Sequence, residues 1–257
     1  MNHNTVPEAA RYICITGISS GLGLEFARVW HNAGWKVCGI SRKEPPAGTA
    51  DIFIAADLSI PGEGTRAISE ILRRTGRLDV LINNAGFGGY ASWSEMPEAD
   101  WRRMMEVDVF APVEITKAAL DAIADTHGCI VNISSAAGLV PVPCMGAYSA
   151  AKFAIRAFSE TLAWETASRN IRVITVHPGR IPTGFSSRAV QIRQCPETPR
   201  GSASASVLAQ KLYKAVSKSV PGKHKRLIYP CWYRFFSWFA MLCPDTYGKA
   251  AAKLWKL

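Results

Sequence analysis

The sequence predicts a doubly wound α/β fold, a parallel sheet with helices on both faces, built as a single domain over residues 1–257. Three observations predict it. Short runs rich in Val, Ile, Leu and Cys alternate with helix-length segments between residues 11 and 176. Those runs are nearly continuous in apolar residues, as strands buried on both faces are. No internal repeat, low-complexity stretch or linker divides the chain of 257 residues, a length that one α/β domain commonly fills. Ligands of such folds bind at the carboxyl ends of the strands.

The elements follow in order. "RYICIT" at 11–16 reads as the first strand, and "TGISSGLG", Thr16 to Gly23, joins it to an apolar helix over 21–33. Glycines at 17, 21 and 23 let the backbone turn tightly and approach a pyrophosphate, which then sits on the helix N-terminus where amide N–H groups point outward. The spacing is G-x-x-x-G-x-G, with Ser19, Ser20 and Leu22 between the glycines. "KVCGIS" and "DIFIAA" are the second and third strands, 63–75 is a helix, and "LDVLIN" is the fourth strand, running into Asn84, Ala85 and Gly86. A long helical region over 97–126, the strand "CIVNIS", a helix carrying "YSAAK" and the strand "IRVITV" complete the pattern. Residues 182–201 form the one long irregular stretch, expected to be a mobile substrate loop.

Composition sets further bounds. Apolar residues make up 48% of the chain and charged residues 19%, a globular balance. The seven cysteines show no C-x-x-C and no zinc spacing, and the start "MNHNTVPEAA" has no basic segment leading into an apolar run. A reducing, cytoplasmic setting and no metal are the expectations. The net charge of +10 is unevenly placed, because residues 211–257 carry ten basic side chains against Asp245 alone. No recognised nucleic-acid motif accompanies that charge, so no nucleic-acid partner is expected.

"YSAAK" places Tyr148 and Lys152 at i and i+4, side by side on one face of a helix. A phenol has an ordinary pKa of about 10, and a fixed ammonium beside it favours the phenolate. In order along the chain come T-G-x-x-x-G-x-G, N-N-A-G, a Ser on the strand before the helix, Y-x-x-x-K, and "HPGRIPT" at 177–183. Over residues 11–185 this resembles the short-chain dehydrogenase/reductase family. The resemblance implies a Rossmann-type nucleotide-binding fold and an oxidoreductase that interconverts an alcohol with a ketone or aldehyde. It implies that Tyr148 exchanges the proton, that Lys152 also bonds the nicotinamide ribose, and that Ser135 holds the substrate oxygen. Ser134 is the neighbouring alternative, and the thirteen-residue spacing to Tyr148 favours Ser135. A homodimer or homotetramer is implied as well.

One position departs from that pattern. Asp108 stands where the family usually has an Asn that anchors a proton-relay water. Asp keeps the carboxamide's shape, loses its amide donor, and brings a charge near Lys152. Two outcomes stand open, a tolerated structural substitute and a tuned or impaired relay. In the second case the chain could be a sensor that holds NADPH with little turnover.

Cofactor choice is read at the end of the second strand. A carboxylate there would bind the adenine ribose and select NAD, whereas this chain offers Ser41, Arg42 and Lys43. A guanidinium suits a 2′-phosphate, so NADP(H) is expected over NAD(H), with Arg42 as the main contact. The resemblance implies that Asp57 and Leu58 lie against the adenine. Pro178, Gly179, Ile181 and Thr183 are expected beside the carboxamide and phosphates. His177, ending a buried strand, is assigned a packing role. An apolar substrate of lipid, steroid or retinoid type is expected from Phe185, Val190 and the aromatic tail, with a 3-oxoacyl or sugar-type reductase as the alternative.

The tail at about 220–257 is basic and aromatic. "IYPCWYRFFSWFAMLC", residues 228–243, is too short for a membrane span and is interrupted by Pro230 and Pro244. Trp232, Phe235, Phe236, Phe239 and Cys243 follow helical spacing and predict one apolar face. That face is expected to close the substrate pocket or to pack in an oligomer. The alternative is peripheral contact with an anionic membrane, attracted by Lys211, Lys214, Lys218, Lys223, Lys225 and Arg226.

Overall fold

A computed structural model describes residues 10–195 and 203–257. The first half alternates as the apolar runs require: β1 (Tyr12–Thr16), α1 (Gly21–Asn32), β2 (Lys36–Ser41), β3 (Ile52–Ala55), α2 (Glu63–Thr75) and β4 (Val80–Asn83). A two-residue strand β5 (Gly89–Tyr90), α3 (Glu98–Met105), α4 (Ala111–Asp125), β6 (Cys129–Ile133), α5 (Gly146–Glu165) and β7 (Arg172–Pro178) follow. The remainder comprises α6 (Phe185–Arg188), β8 (Val190–Gln191), α7 (Ala205–Ser217), β9 (Lys225–Tyr229), α8 (Tyr233–Leu242) and α9 (Pro244–Leu254).

Seven strands form one sheet in the order β3-β2-β1-β4-β6-β7-β9, and every neighbouring pair is parallel. Period-two alternation divides each strand between two cores. Ile13, Ile15, Val80, Ile82, Val131 and Val176 face α1 and α7, packing on Phe26, Trp30, Leu208 and Leu212. Cys14, Cys38, Ile40, Leu81 and Ile130 face α2, α4 and α5, meeting Ile68, Ile71, Ile115 and Leu162. The doubly wound prediction holds.

Three features depart from the sequence reading. The helical region over 97–126 is broken by a π-helical turn, Glu106–Phe110, between α3 and α4. Here the Ala111 N–H reaches the Glu106 carbonyl, and Pro112 has no N–H to offer the Asp108 carbonyl four residues back. The tail contributes β9, which reads poorly in sequence because it is an edge strand beginning Lys-Arg. Arg226 pairs with Glu160 at 2.9 Å, and the Lys225 ammonium donates to the Ala215 carbonyl. The stretch 182–201 is partly ordered by α6 and by β8, which pairs with β5, while its residues 196–201 lie outside the described ones.

Helices α8 and α9 fold back against the loop after β6. Ala240, Tyr247 and Ala251 cluster with Val140, and the Tyr247 hydroxyl donates to the Pro141 carbonyl at 2.8 Å. The single face expected of the tail is divided. Phe236 packs edge-on against Tyr247, whereas Trp232, Phe235 and Cys243 are exposed.

Candidate active site

The carboxyl ends of β1, β4, β6 and β7 open into one cavity of about 1130 Å³. Its wall includes Gly17, Ser19, Ser20, Leu22, Ser41, Arg42, Asp57 and Leu58 from the first half of the chain. Asn84, Ala85, Gly86, Ser135, Tyr148, Lys152, Pro178, Gly179, Ile181 and Thr183 complete the sequence-predicted set. Gly21, Gly23 and Asp108 are the predicted residues outside the lining.

The loop after β1 is shaped for close backbone approach. Gly17 has φ +69°, and a Cβ at Gly23 would collide with the Gly17 carbonyl. Asn84 ties the β4 loop to it, its Nδ2 donating to the Thr16 carbonyl at 2.9 Å. The Thr16 hydroxyl accepts the Asn84 and Ala85 N–H groups, each at 2.9 Å. No side chain caps the first turn of α1. An uncapped N-terminus behind a glycine turn fits the pyrophosphate of a dinucleotide. Arg188 of α6 reaches over it, its guanidinium donating to the Ser20 hydroxyl at 3.0 Å. No motif marks Arg188 in sequence.

At the β2 end, Ser41 donates to the Lys43 carbonyl at 2.6 Å, leaving Arg42 and Lys43 along the cavity. Arg103 of α3 joins them, its guanidinium 4.9 Å from the Phe87 ring centre. Sequence reasoning missed Arg103, which sits in an ordinary polar helix. Burial pushes the Asp57 carboxyl up, and bonds from the Ser59 N–H and hydroxyl with the charges of Arg42 and Arg103 more than offset it. Asp57 is thereby held below its usual range.

The reacting groups gather where β6 meets α5. Lys152 lies 5.5 Å from the Tyr148 ring centre and donates to the Ile133 carbonyl at 3.1 Å. Its ammonium is 3.4 Å from one oxygen of the buried Asp108 carboxylate. The other oxygen accepts the Phe87 N–H at 3.1 Å. Burial pushes the Asp108 carboxyl up to about 6, against the opposing pull of Lys152. Tyr148 departs from the expectation of a phenol lowered by its lysine. Burial raises it well above the usual range, the Asp108 charge raises it further, and the Ser135 hydrogen bond opposes both. Asp108 offsets the cation that would have favoured the phenolate.

The two serines divide their roles. Ser135 Oγ lies on the cavity, accepts the Ala137 N–H at 3.1 Å and bonds the Tyr148 phenol. Ser134 Oγ is committed to the Lys152 carbonyl at 2.9 Å, pinning α5 to the sheet. His177 is fully buried with Nδ1 3.1 Å from the Ser135 carbonyl, which can only accept, so the proton resides on Nδ1. Burial pushes this imidazole down to about 4 and keeps it neutral.

Beyond Tyr148 the cavity is mainly apolar, with Arg180, Ser186 and Cys195 as polar groups beside Tyr90. Phe185 and Val190 line it as the sequence suggested, with Tyr90, Val140, Val142 and Met145. The Phe185 and Tyr148 rings are 5.7 Å apart. The tail closes this end: Tyr233 lies where a Cβ on Gly179 would be, and Trp255 rests 6.1 Å from the Tyr90 ring. Phe236 and Leu254 complete the wall.

Comparison with known proteins gives the same picture. Residues 11–193 match the short chain dehydrogenase family. The chain is 37% identical to the Mus musculus dehydrogenase/reductase SDR family member 7B over 227 residues, covering 80% of this chain and 70% of that protein. It is 37% identical to a 3-ketodihydrosphingosine reductase of Bacteroides thetaiotaomicron, covering 68% and 65%. In the rat form of the first relative the match spans 60% of that protein's length. A crystal structure of a short-chain dehydrogenase from Streptomyces avermitilis superposes with a TM-score of 0.79 at 28% identity, covering 97% of each chain. The chain belongs to the short-chain dehydrogenase/reductase family.

Proposed function

We propose that this chain reduces an apolar ketone or aldehyde of lipid type to the alcohol, using NADPH. The observation that carries the reading is one cavity with Arg42, Lys43 and Arg103 at one end, a mainly apolar chamber at the other, and Ser135, Tyr148 and Lys152 between them. Gly17, Arg42 and Lys152 would hold a reduced nicotinamide cofactor in that cavity, where it would supply hydride to the carbonyl carbon. Ser135 holds the carbonyl oxygen beside Tyr148. The phenol, kept protonated by burial and by Asp108, donates its proton as the oxygen gains charge. Lys152, pinned by Ile133 and Asp108, supplies a fixed cation behind the phenol.

Arg42, Lys43 and Arg103 favour the 2′-phosphate of NADPH, and no carboxylate stands at position 41 to select NAD. The relative described as a 3-ketodihydrosphingosine reductase supports a keto group on a long apolar chain rather than a sugar. Self-association as a dimer or tetramer is the expectation carried by family membership, and sedimentation velocity would measure it.

The test follows nicotinamide absorbance with NADPH or NADH and a panel of long-chain, cyclic and hydroxylated carbonyls. NADPH consumption with an apolar carbonyl, abolished in Tyr148→Phe, is the expected result. Consumption confined to NADH, or to polar sugars, overturns the reading.

A further inference from the structure

Helix α8 is apolar on both sides. Inward, Tyr233, Phe236 and Ala240 close the cavity or pack against α9. Outward, Phe235, Trp238, Phe239 and Leu242 fall at i, i+3, i+4 and i+7, one continuous stripe. They are 77%, 67%, 48% and 75% exposed. Single exposed apolar side chains are ordinary, but a contiguous stripe of them needs a partner.

Charge indicates which partner. Across α8, α9 and the residues after them, Arg234, Lys249, Lys253 and Lys256 are exposed, against the one acidic residue Asp245. A second copy pairing through this surface by a two-fold axis would set that excess of cations against itself. The cations expected from sequence to attract lipid lie elsewhere. Lys211 and Lys214 belong to α7 beside α1, Lys225 bonds the main chain and Arg226 is paired with Glu160. Among the described residues no helix is long and apolar enough to cross a membrane, and α8 has ten residues. Trp and Phe beside Lys and Arg on a short exposed helix suit the boundary between headgroups and acyl chains.

We propose that the α8–α9 hairpin docks on an anionic lipid bilayer, with the Phe235–Leu242 stripe entering the headgroup boundary and the surrounding cations facing lipid phosphates. The same hairpin walls the apolar end of the cavity through Tyr233, Phe236, Leu254 and Trp255. Docking would therefore set the chamber beside the bilayer, and a carbonyl carried in lipid could enter without crossing water. That last consequence rests on the proposed reductase reading; the docking does not.

The test is co-sedimentation of the full chain with phosphatidylcholine vesicles, with and without phosphatidylserine. The wild-type chain is expected to pellet with the serine-containing vesicles and to partition about a hundredfold less, or lower still, to phosphatidylcholine alone. Phe235→Ser with Trp238→Ser should remain in the supernatant, and Lys249→Gln with Lys253→Gln should lose about tenfold of the partition to anionic vesicles. Both pairs are exposed, so thermal unfolding should hardly move and a folding defect can be told apart. NADPH oxidation with a water-soluble carbonyl and no vesicles reads the reductase proposal separately. Wild-type protein left in the supernatant with both vesicle types overturns the proposal. So does an oligomer, seen by sedimentation velocity, that the stripe substitutions dissociate while lipid binding is absent.

Discussion

The Asp108 carboxylate lies 3.4 Å from the Lys152 ammonium, with side chains 0% and 5% exposed. A buried cation and anion so placed cancel much of each other's field at a third group. Tyr148 is that group, and it registers Asp108 as a charge that raises its pKa. On the proposed reductase reading, this arrangement would keep the proton donor of a reduction loaded and hold back alcohol oxidation, which needs the phenolate.

Replacing Asp108 by Asn removes the negative charge and retains the shape. The rise of alcohol-oxidation rate with pH should move to lower pH by about one unit or more. The Asp108 carboxyl, charged above about 6 in the wild type, makes that comparison cleanest between neutral and alkaline pH. Profiles that superimpose would show that the Asp108 charge does not reach the phenol. A wild type nearly inert with every carbonyl, gaining turnover in both directions on substitution, would instead favour an NADPH-holding sensor.

The adjacent serines differ in their part in the chemistry. Ser135→Ala removes the hydroxyl bonded to Tyr148 on the cavity wall and should lower kcat/KM by about a hundredfold or more, while losing the bond from the Ala137 N–H costs about 1 kcal/mol of stability. Ser134→Ala leaves the Lys152 carbonyl without that partner and should cost about 1 kcal/mol of stability while KM stays near wild type. Steady-state kinetics beside thermal unfolding reads both. Equal kinetic losses from the two substitutions would contradict this division.

The cations at the β2 end make the cofactor testable without turnover. Arg42→Ala and Arg103→Ala should each weaken NADPH binding by about ten- to a hundredfold, the usual value of a charge-assisted hydrogen bond. NADH binding should change by much less. Titration of reduced-nicotinamide fluorescence measures both affinities, and parallel losses for the two cofactors would remove the basis for NADP preference.

Much of this site was legible because its residues sit at strand ends with fixed spacing. Tyr148 and Lys152 are one helical turn apart, and Gly17 to Gly23 mark a turn that a Cβ would block. What sequence concealed comes together only through tertiary contact. Arg103 reaches the cavity from an amphipathic helix whose pattern resembles any solvent face, and Arg188 from a four-residue helix in an irregular stretch. Strand β9 begins with two cations and pairs only on one edge, so its periodicity is weak. The tail's aromatic run signalled burial without saying which residues turn inward. That is set by Tyr233 packing over Gly179 and by Tyr247 bonding Pro141.

His177 yields a prediction about acid stability. Its ring is fully buried, Nδ1 donates to the Ser135 carbonyl, and Nε2 has no partner. Burial lowers its pKa in the folded chain to about 4, with the charges of Arg156, Arg226 and His224 pushing the same way. The unfolded chain should titrate near the ordinary 6.5. Between those values the unfolded state holds more protons, so stability is fully present above pH 6.5 and falls as pH drops toward 4. The loss from this one group amounts to up to about 3 kcal/mol. Asp108 works in the opposite sense, since a carboxyl raised to about 6 favours the folded state as acid is added from pH 6 toward 4. The two contributions overlap, so the difference between the wild type and His177→Gln is the quantity to measure. Gln can still donate to the Ser135 carbonyl but does not titrate. Denaturant unfolding at intervals from pH 7 to 4 should show wild-type stability falling more steeply than that of the variant, so that wild-type stability minus variant stability decreases steadily below pH 6.5. Parallel curves across that range would mean that the folded imidazole takes up its proton as readily as the unfolded one.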